Sequence, residues 1–406
     1  MEGGAPVTLG KGAEEATMGE ERSGRPEELS SVRRPLGEAS HAPGPLYASP
    51  EVYRLEVERL FMRDWLFVGR TEELPEPGNY LTLRIAGEPI VIARAHDGLL
   101  HAFYNMCVHR GVEVAQGCGH ARALQCPYHG WTYDLTGRLT GAGYMKDSAG
   151  FDPGSQRLRP LRLDTWRRNI FVSFDPEAPP LAEHVQEFEK DFAFLRPEEC
   201  RLGHRIALDL ACNWKFVHEN LMDFYHVGVL HAKTFGGKFS WEDEKVQLKP
   251  RGGIAIFYDA GPPTPGAEPL LGKMPWLEDR PLRFACTGFL PPNCTLFGRI
   301  DCVRVMVAWP DGPGRSRTII YHLFPEAFFE RPGFRETLKV YHDYQLQVLE
   351  EDRSMLESMQ LAMSSPAYRP GRMSILEKPL HHYLNGYLDR VFTRDVNGGA
   401  LWGVAR

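Results

Sequence analysis

Two short ligand pairs constrain this chain more than anything else in it. Cys107-Val108-His109 is followed, past residues 110–125, by Cys126-Pro127-Tyr128-His129-Gly130-Trp131. Two thiolates at these spacings can hold one iron of a [2Fe–2S] cluster, and two imidazoles the other. Neutral histidines in place of thiolates raise the reduction potential and couple electron transfer to protonation. The same four side chains also suit a tetrahedral zinc ion. Zinc sites, however, usually bring their ligands as Cys-Cys and His-His pairs, not as mixed pairs.

At Cys107-Val108-His109-Arg110-Gly111 and at Cys126 to Trp131 the chain resembles the Rieske non-haem iron oxygenases, the large subunits of aromatic-ring hydroxylases. Respiratory Rieske proteins carry two further cysteines in these loops. Here those positions are Val112 and Tyr128, and Trp131 stands where they place a serine. Fewer hydrogen bonds to sulfur stabilise the reduced charge less, so a low-potential centre is expected. Such a carrier suits delivery of electrons to an oxygen-activating metal.

At 406 residues and 46.0 kDa the chain is too long for a Rieske ferredoxin alone, and two domains are expected. A net charge of −6 implies no nucleic-acid surface. No apolar run spans a bilayer and no signal pattern opens the chain, so no membrane partner and a cytoplasmic location are expected. Eight cysteines make no disulfide framework in a chain of this size. Beyond the cluster pair, the other six read as reduced core or loop thiols, Cys118 as a loop residue between Gly117 and Gly119.

Residues 1–40 are poor in large apolar side chains and read as a disordered tail, within which Met18 is an alternative start. Residues 45–61 read as an amphipathic helix packing on a catalytic domain. From Asn79 alternation and turn signals such as Asp97-Gly98 predict strands, giving an all-β Rieske domain over 62–178. Over 181–406 the pattern is an acidic helix near 181–196, a strand near 205–212, a helix over 214–230, several strands over 245–325 and a long helix over 334–362. That order predicts an α+β catalytic domain of helix-grip type, an antiparallel sheet held by helices.

A second constellation lies on the 214–230 helix. Asn220, Asp223 and His226 recur there at i, i+3 and i+6, a spacing that places them on one face. His231 follows, within reach if the chain turns at Gly228. Two imidazoles beside a carboxylate suit a facial triad for mononuclear Fe(II). The long helix offers the carboxylate. Its inward stripe reads Leu338, Tyr341, Gln345, Val348, Asp352, Met355 and Met359, which leaves Asp352 needing a partner. A metal would serve, as would a buried arginine. Glu350 and Glu351 lie off that stripe and read as solvated. His218 reads as a structural histidine.

The resemblance implies the same set. The family's iron-binding pattern falls on Asp223, Tyr225, His226 and His231, and its late acid on Asp352. It further implies that Asp223 bridges His226 to a cluster histidine, by analogy His129, with a weaker role for Asn220. It implies electrons from NAD(P)H through a separate reductase, directly or by way of a ferredoxin. It also implies a homotrimer, with or without β subunits, in which one subunit's cluster faces its neighbour's iron.

Three functions fit this reading. The first is oxygen insertion from O2 into a small organic, aromatic substrate. The second is a monooxygenase or demethylase of a quaternary amine or methylated substrate on the same scaffold. The third is a pure electron-transfer protein, against which the second constellation argues. Pocket walls are expected from 214–235, from strands near 284–310 and from the long helix, with Phe216, Val227 and Leu230 as lining candidates.

Overall fold

The computed structural model describes residues 26–235 and 245–392. Residues 1–25 of the expected tail, with Met18, and residues 236–244 and 393–406 lie outside the described residues. The tail expectation gives way at Pro26. Pro26–Val32 is helical, and Val32 and Ala39 are fully buried. His381 Nε2 lies 2.9 Å from the carbonyls of both Val32 and Arg34. Partners far along the chain order this segment, which its composition does not show.

The chain forms an all-β lobe followed by an α+β domain. The lobe holds β1 (Leu66–Arg70), β2 (Asn79–Ile85), β3 (Glu88–Arg94), β4 (Leu100–Tyr104), β5 (Cys118–His120), β6 (Leu124–Gln125), β7 (Thr132–Tyr133), β8 (Leu139–Gly141), β9 (Pro160–Trp166) and β10 (Asn169–Ser173). A seven-stranded sheet runs β1-β10-β9-β4-β3-β2-β5, and a three-stranded one runs β6-β7-β8. Cys118 is therefore a strand residue, paired with Leu81, and not a loop thiol. All eight cysteines are free.

The second domain holds β11 (Cys200–Leu210), β12 (Val246–Leu248), β13 (Ile254–Asp259), β14 (Phe284–Leu290), β15 (Cys294–Arg299), β16 (Val303–Pro310) and β17 (Ser316–Pro325). They form one antiparallel sheet in the order β11-β17-β16-β15-β14-β13-β12. Strands β14, β15 and β16 are buried at every position because both faces are covered. On one face Phe192, from the short acidic helix Gln186–Phe192, packs so closely that a Cβ on Gly288 would lie 2.3 Å from its ring. The other face meets the helix Trp214–Met222 through His218, whose Nδ1 lies 3.2 Å from Oγ1 of Thr295. It meets the long helix Phe334–Met363 through Gln345, which accepts from Arg304.

The long helix corrects the expected stripe. Past Asp352 the buried residues are Leu356 and Met363, while Met355 and Met359 are 46% and 39% exposed. A strict seven-residue repeat drifts about 20° per heptad on a straight helix of 3.6 residues per turn. By Asp352 the drift has moved the inward line by one residue.

The N-terminal helix Pro50–Glu56 starts at Ser49, whose hydroxyl accepts from the amides of Glu51 and Val52. Its last residue, Glu56, is fully buried. It accepts from Trp214 Nε1 at 2.9 Å, from Tyr387 OH at 2.6 Å and from the ammonium of Lys215. One carboxylate thereby ties the N-terminal helix, the Trp214–Met222 helix and the C-terminal helix Lys378–Val391 together. Between the domains, buried Arg70 of β1 donates to the carbonyls of Pro197 and Cys200 at 3.1 and 2.9 Å.

Candidate functional site

The two ligand pairs of the β lobe sit on loops of the same construction. The amide of Gly111 donates to the Cys107 carbonyl at 2.8 Å, and that of Gly130 to the Cys126 carbonyl at 3.0 Å. Both glycines have positive φ, 78° and 73°, where a Cβ would be strained. The amides of Cys107 and Cys126 donate to the carbonyls of Val112 and Trp131, each at 2.8 Å. Each loop thus returns on itself within five residues and presents one cysteine and one histidine.

Both cysteines are buried in a small core with Phe103, Trp131 and Tyr133, while both histidines are exposed. The His109 and His129 rings lie 4.7 Å apart, and Trp131 stacks on His109 at 4.8 Å. The Tyr133 hydroxyl lies 3.1 Å from Cys107 Sγ and accepts from the Val108 amide at 3.1 Å. Burial, and then the Cys107 contact, push its phenol well above the usual range. Four ligands of a single zinc ion would all lie within about 4 Å of one another. Among the described residues only His226, His231 and Asp352 gather three such donors within 4.8 Å. The wider Cys/His quartet, with thiols inside and imidazoles outside, fits a two-iron cluster.

The second constellation is built by a broken helix. Asn213 caps the helix Trp214–Met222, its side chain accepting from the Lys215 amide at 3.0 Å. The helix does not run to residue 230. Asp223 is its C-cap, with φ −95° and ψ 91°, and a short 3-10 turn, Tyr225–Gly228, follows. Asn220, Asp223 and His226 therefore do not share a helix face, and the turn comes at Asp223, not at Gly228. The break swings His226 and His231 onto Asp352. The Asp352 Oδ1 lies 2.9 Å from His231 Nε2 and 3.8 Å from His226 Nε2.

The acid that sequence reasoning left in solvent also belongs here. Glu351 Oε2 lies 2.6 Å from His231 Nδ1, and its Oε1 accepts from Thr234 at 2.5 Å. Burial would lower the His231 pKa, but Asp352 and Glu351 together raise it. With Nδ1 engaged by Glu351, Nε2 is turned to the donor cluster. Two imidazole nitrogens and one carboxylate oxygen at these separations fit a facial triad with open positions. Among the described residues no arginine pairs with Asp352, and Arg353 instead binds Glu350 at 3.3 Å.

Asp223 lies behind His226, its Oδ2 3.7 Å from His226 Nδ1. Its Oδ1 and the His226 Nδ1 are buried without a hydrogen-bond partner among the described residues. Asn220, on the last turn of the Trp214–Met222 helix, is half-buried. His218 is fully buried against the sheet, and burial lowers it to about 3. Phe216 stacks on Tyr47 with ring centroids 4.2 Å apart, as a core residue, whereas Val227 and Leu230 are half-buried beside the triad. Among the described residues no helix is long and apolar enough to cross a membrane.

Comparison with known proteins agrees with this architecture. Residues 64–152 match the Rieske [2Fe-2S] domain, and residues 197–392 match the ring hydroxylating alpha subunit (catalytic domain). The glycine betaine monooxygenase oxygenase subunit of Chromohalobacter salexigens is 35% identical over 202 residues, 50% of this chain and 45% of that protein. The chain thus spans about half the length of that relative. The chloroplastic choline monooxygenase of Beta vulgaris is 27% identical over 356 residues, 86% of this chain and 76% of its own length. The crystal structure of a quaternary ammonium Rieske monooxygenase in complex with L-carnitine superposes with a TM-score of 0.71 at 22% identity. That match covers 88% of this chain and 98% of the other. A Rieske lobe followed by a ring hydroxylating alpha catalytic domain makes this chain a member of the Rieske non-haem iron oxygenases.

Proposed function

We propose that this chain is the oxygenase component of a monooxygenase acting on a quaternary or otherwise methylated amine. One observation carries the reading. The relatives act, by name, on glycine betaine, choline and L-carnitine, all of them quaternary ammonium compounds. This favours the second of the three functions weighed on sequence over the aromatic substrate. Monooxygenation places one atom of O2 on a substrate C–H carbon. It reduces the other atom to water with two electrons and two protons.

In this reading Cys107, Cys126, His109 and His129 hold the [2Fe–2S] cluster, and His226, His231 and Asp352 hold the mononuclear iron. Iron at the triad would supply oxygen activation, and the cluster one-electron delivery from a reductase. The protein's own part is orientation. Glu351 fixes the His231 ring, and Asp223 stands where it can accept from His226 Nδ1. The unpartnered Asp223 Oδ1 and the exposed His109 and His129 are complementary ends. They support a homo-oligomer, a trimer by family analogy, in which one subunit's cluster loops meet its neighbour's Asp223. Phe235 and Tyr344, with ring centroids 6.1 Å apart beside His231, offer aromatic faces to a methylammonium group.

The test is turnover with chemically reduced protein, O2 and a panel of trimethylammonium compounds and arenes. The expected result is oxygen uptake coupled to a trimethylammonium compound, with a product one oxygen heavier or one methyl lighter. Coupled turnover confined to arenes would sink the reading.

A further inference from the structure

Two buried cations of the catalytic domain have, among the described residues, only neutral hydrogen-bond partners. Arg299 closes β15 and Arg304 follows at the start of β16, and they are 9% and 7% exposed. The Arg304 Nη1 donates to Gln345, its Nε has no hydrogen-bond partner among the described residues, and its guanidinium lies 4.8 Å over Phe297. Arg299 donates to the carbonyls of Gly298 at 2.9 Å and Cys286 at 3.5 Å, and to the Tyr258 hydroxyl at 2.9 Å. Asp301, the buried acid between them in sequence, is hydrogen-bonded by Tyr341 and Cys302 and interacts with both arginines only beyond ion-pair distance, so two buried cations share one acid. Among the described residues neither arginine forms an ion pair. Burial, with Arg299 nearby, lowers Arg304 to about 10, so it stays charged at neutral pH. Buried charges are ordinarily paired or hold a ligand.

Both arginines lie on the sheet face that carries the candidate site. Strand register places Phe297 opposite Arg304, Thr287 opposite Phe297, and Ala285 opposite both Arg299 and Tyr258, so all of these side chains share that face. Tyr258 contacts Phe224, the residue after Asp223, with ring centroids 5.7 Å apart. Gln345, which Arg304 holds, is on the inward stripe with Asp352, two turns or about 10 Å along the helix. The guanidiniums therefore lie on the sheet face that Phe224 and the long helix cover, about two helix turns from Asp352. They also lie over the Tyr258 and Phe297 rings, which leaves those faces to no second cation.

We propose that Arg304 and Arg299 bind a carboxylate of the substrate, so that the preferred substrate is a zwitterion with its methylated ammonium at the triad and its carboxylate at the sheet. This rests on the quaternary-amine reading and narrows it to carboxylated members of that class. Guanidinium pairs bind carboxylates through several charge-assisted hydrogen bonds, which a neutral ester cannot replace.

The test is equilibrium binding to the holoenzyme, without O2, of γ-butyrobetaine, its methyl ester and benzoate. γ-Butyrobetaine should bind roughly tenfold or more tightly than its ester. Arg304→Gln should remove that advantage and leave ester affinity within about twofold, and Arg304→Lys should restore part of it. Retained cluster absorbance and melting temperature show that each variant is folded. If Arg304→Gln does not fold, the acid-to-ester ratio of the unaltered protein decides. Equal affinity for acid and ester, or no carboxylate whose binding depends on Arg304, overturns the proposal. If neither ammonium compound binds but benzoate does, and Arg304→Gln abolishes it, the carboxylate site stands and the quaternary-amine reading falls.

Discussion

Glu351 holds the outer nitrogen of His231 at 2.6 Å, while the next residue on the same helix, Asp352, faces the inner nitrogen at 2.9 Å. Consecutive acids on a helix point about 100° apart. They can meet one imidazole only because the ring is wedged between the long helix and the short helix Ala232–Phe235, whose Thr234 also binds Glu351. The ring's plane and its metal-facing nitrogen are therefore set by a residue that would not itself bind metal.

Glu351→Gln should accordingly lower iron affinity at the triad by about 10-fold or more, with the [2Fe–2S] absorbance unchanged. Iron content per chain after dialysis against a weak chelator checks this. Unchanged iron retention would mean that Asp352 and His226 orient the site without Glu351.

Asp223→Asn should leave iron content and cluster absorbance as they are and slow cluster reoxidation in a single turnover by about 10-fold or more. The amide keeps the size of the side chain but brings a donor towards His226 Nδ1, and it gives up the charge of the unpartnered Oδ1. Reoxidation at the unaltered rate would remove Asp223 from the electron path.

Some of this was legible in the sequence, and physics separates those parts from the rest. The two Cys-x-His and Cys-x2-His pairs proposed for the cluster were readable because each lies within one tight loop and its spacing suits the chemistry. Asp352 was readable because a lone acid breaks an apolar stripe. Glu351 was not, since it is off the stripe and only a tertiary contact from His231 reaches it. The break at Asp223 carried no glycine or proline signal, so the helix was read through to residue 230. Arg304 alternates with Val303 and Val305, a pattern that reads as a solvent-facing position. Here a helix covers that face, which period-two alternation cannot reveal.

Glu56 and Lys215 form a fully buried ion pair, with Trp214 and Tyr387 also donating to the carboxylate. Removing one partner strands the other's charge. Glu56→Gln should cost about 3–5 kcal/mol in chemical denaturation, and the double variant Glu56→Gln/Lys215→Met should recover part of it. If the double variant is less stable than the single by the full cost of a second substitution, the pair is not coupled.

Glu219 gives the fold a pH dependence of known sign. It is buried on the Trp214–Met222 helix, and Tyr47 donates to its two oxygens at 2.9 and 3.1 Å. Burial dominates, and raises it from 4.5 to about 7 despite Tyr47 and nearby Lys215. A carboxyl with a higher pKa folded than unfolded binds its proton more tightly in the native state. Its contribution is therefore complete below the unfolded value, is lost as pH rises from there to about 7, and is level above. The loss is of order 3 kcal/mol for a shift of this size. Glu219→Gln keeps the shape and an acceptor for Tyr47 but cannot ionise. The stability difference between Glu219→Gln and the unaltered protein should therefore move in favour of the variant from pH 5 to pH 8. Taking the difference cancels titrating groups that do not feel Glu219, such as Asp301, which is also raised, and His184, which is lowered, while His41, raised in part by Glu219, stays in the difference. Parallel curves across that range would show that Glu219 ionises in the folded protein at its ordinary pKa, with Tyr47 and Lys215 outweighing burial.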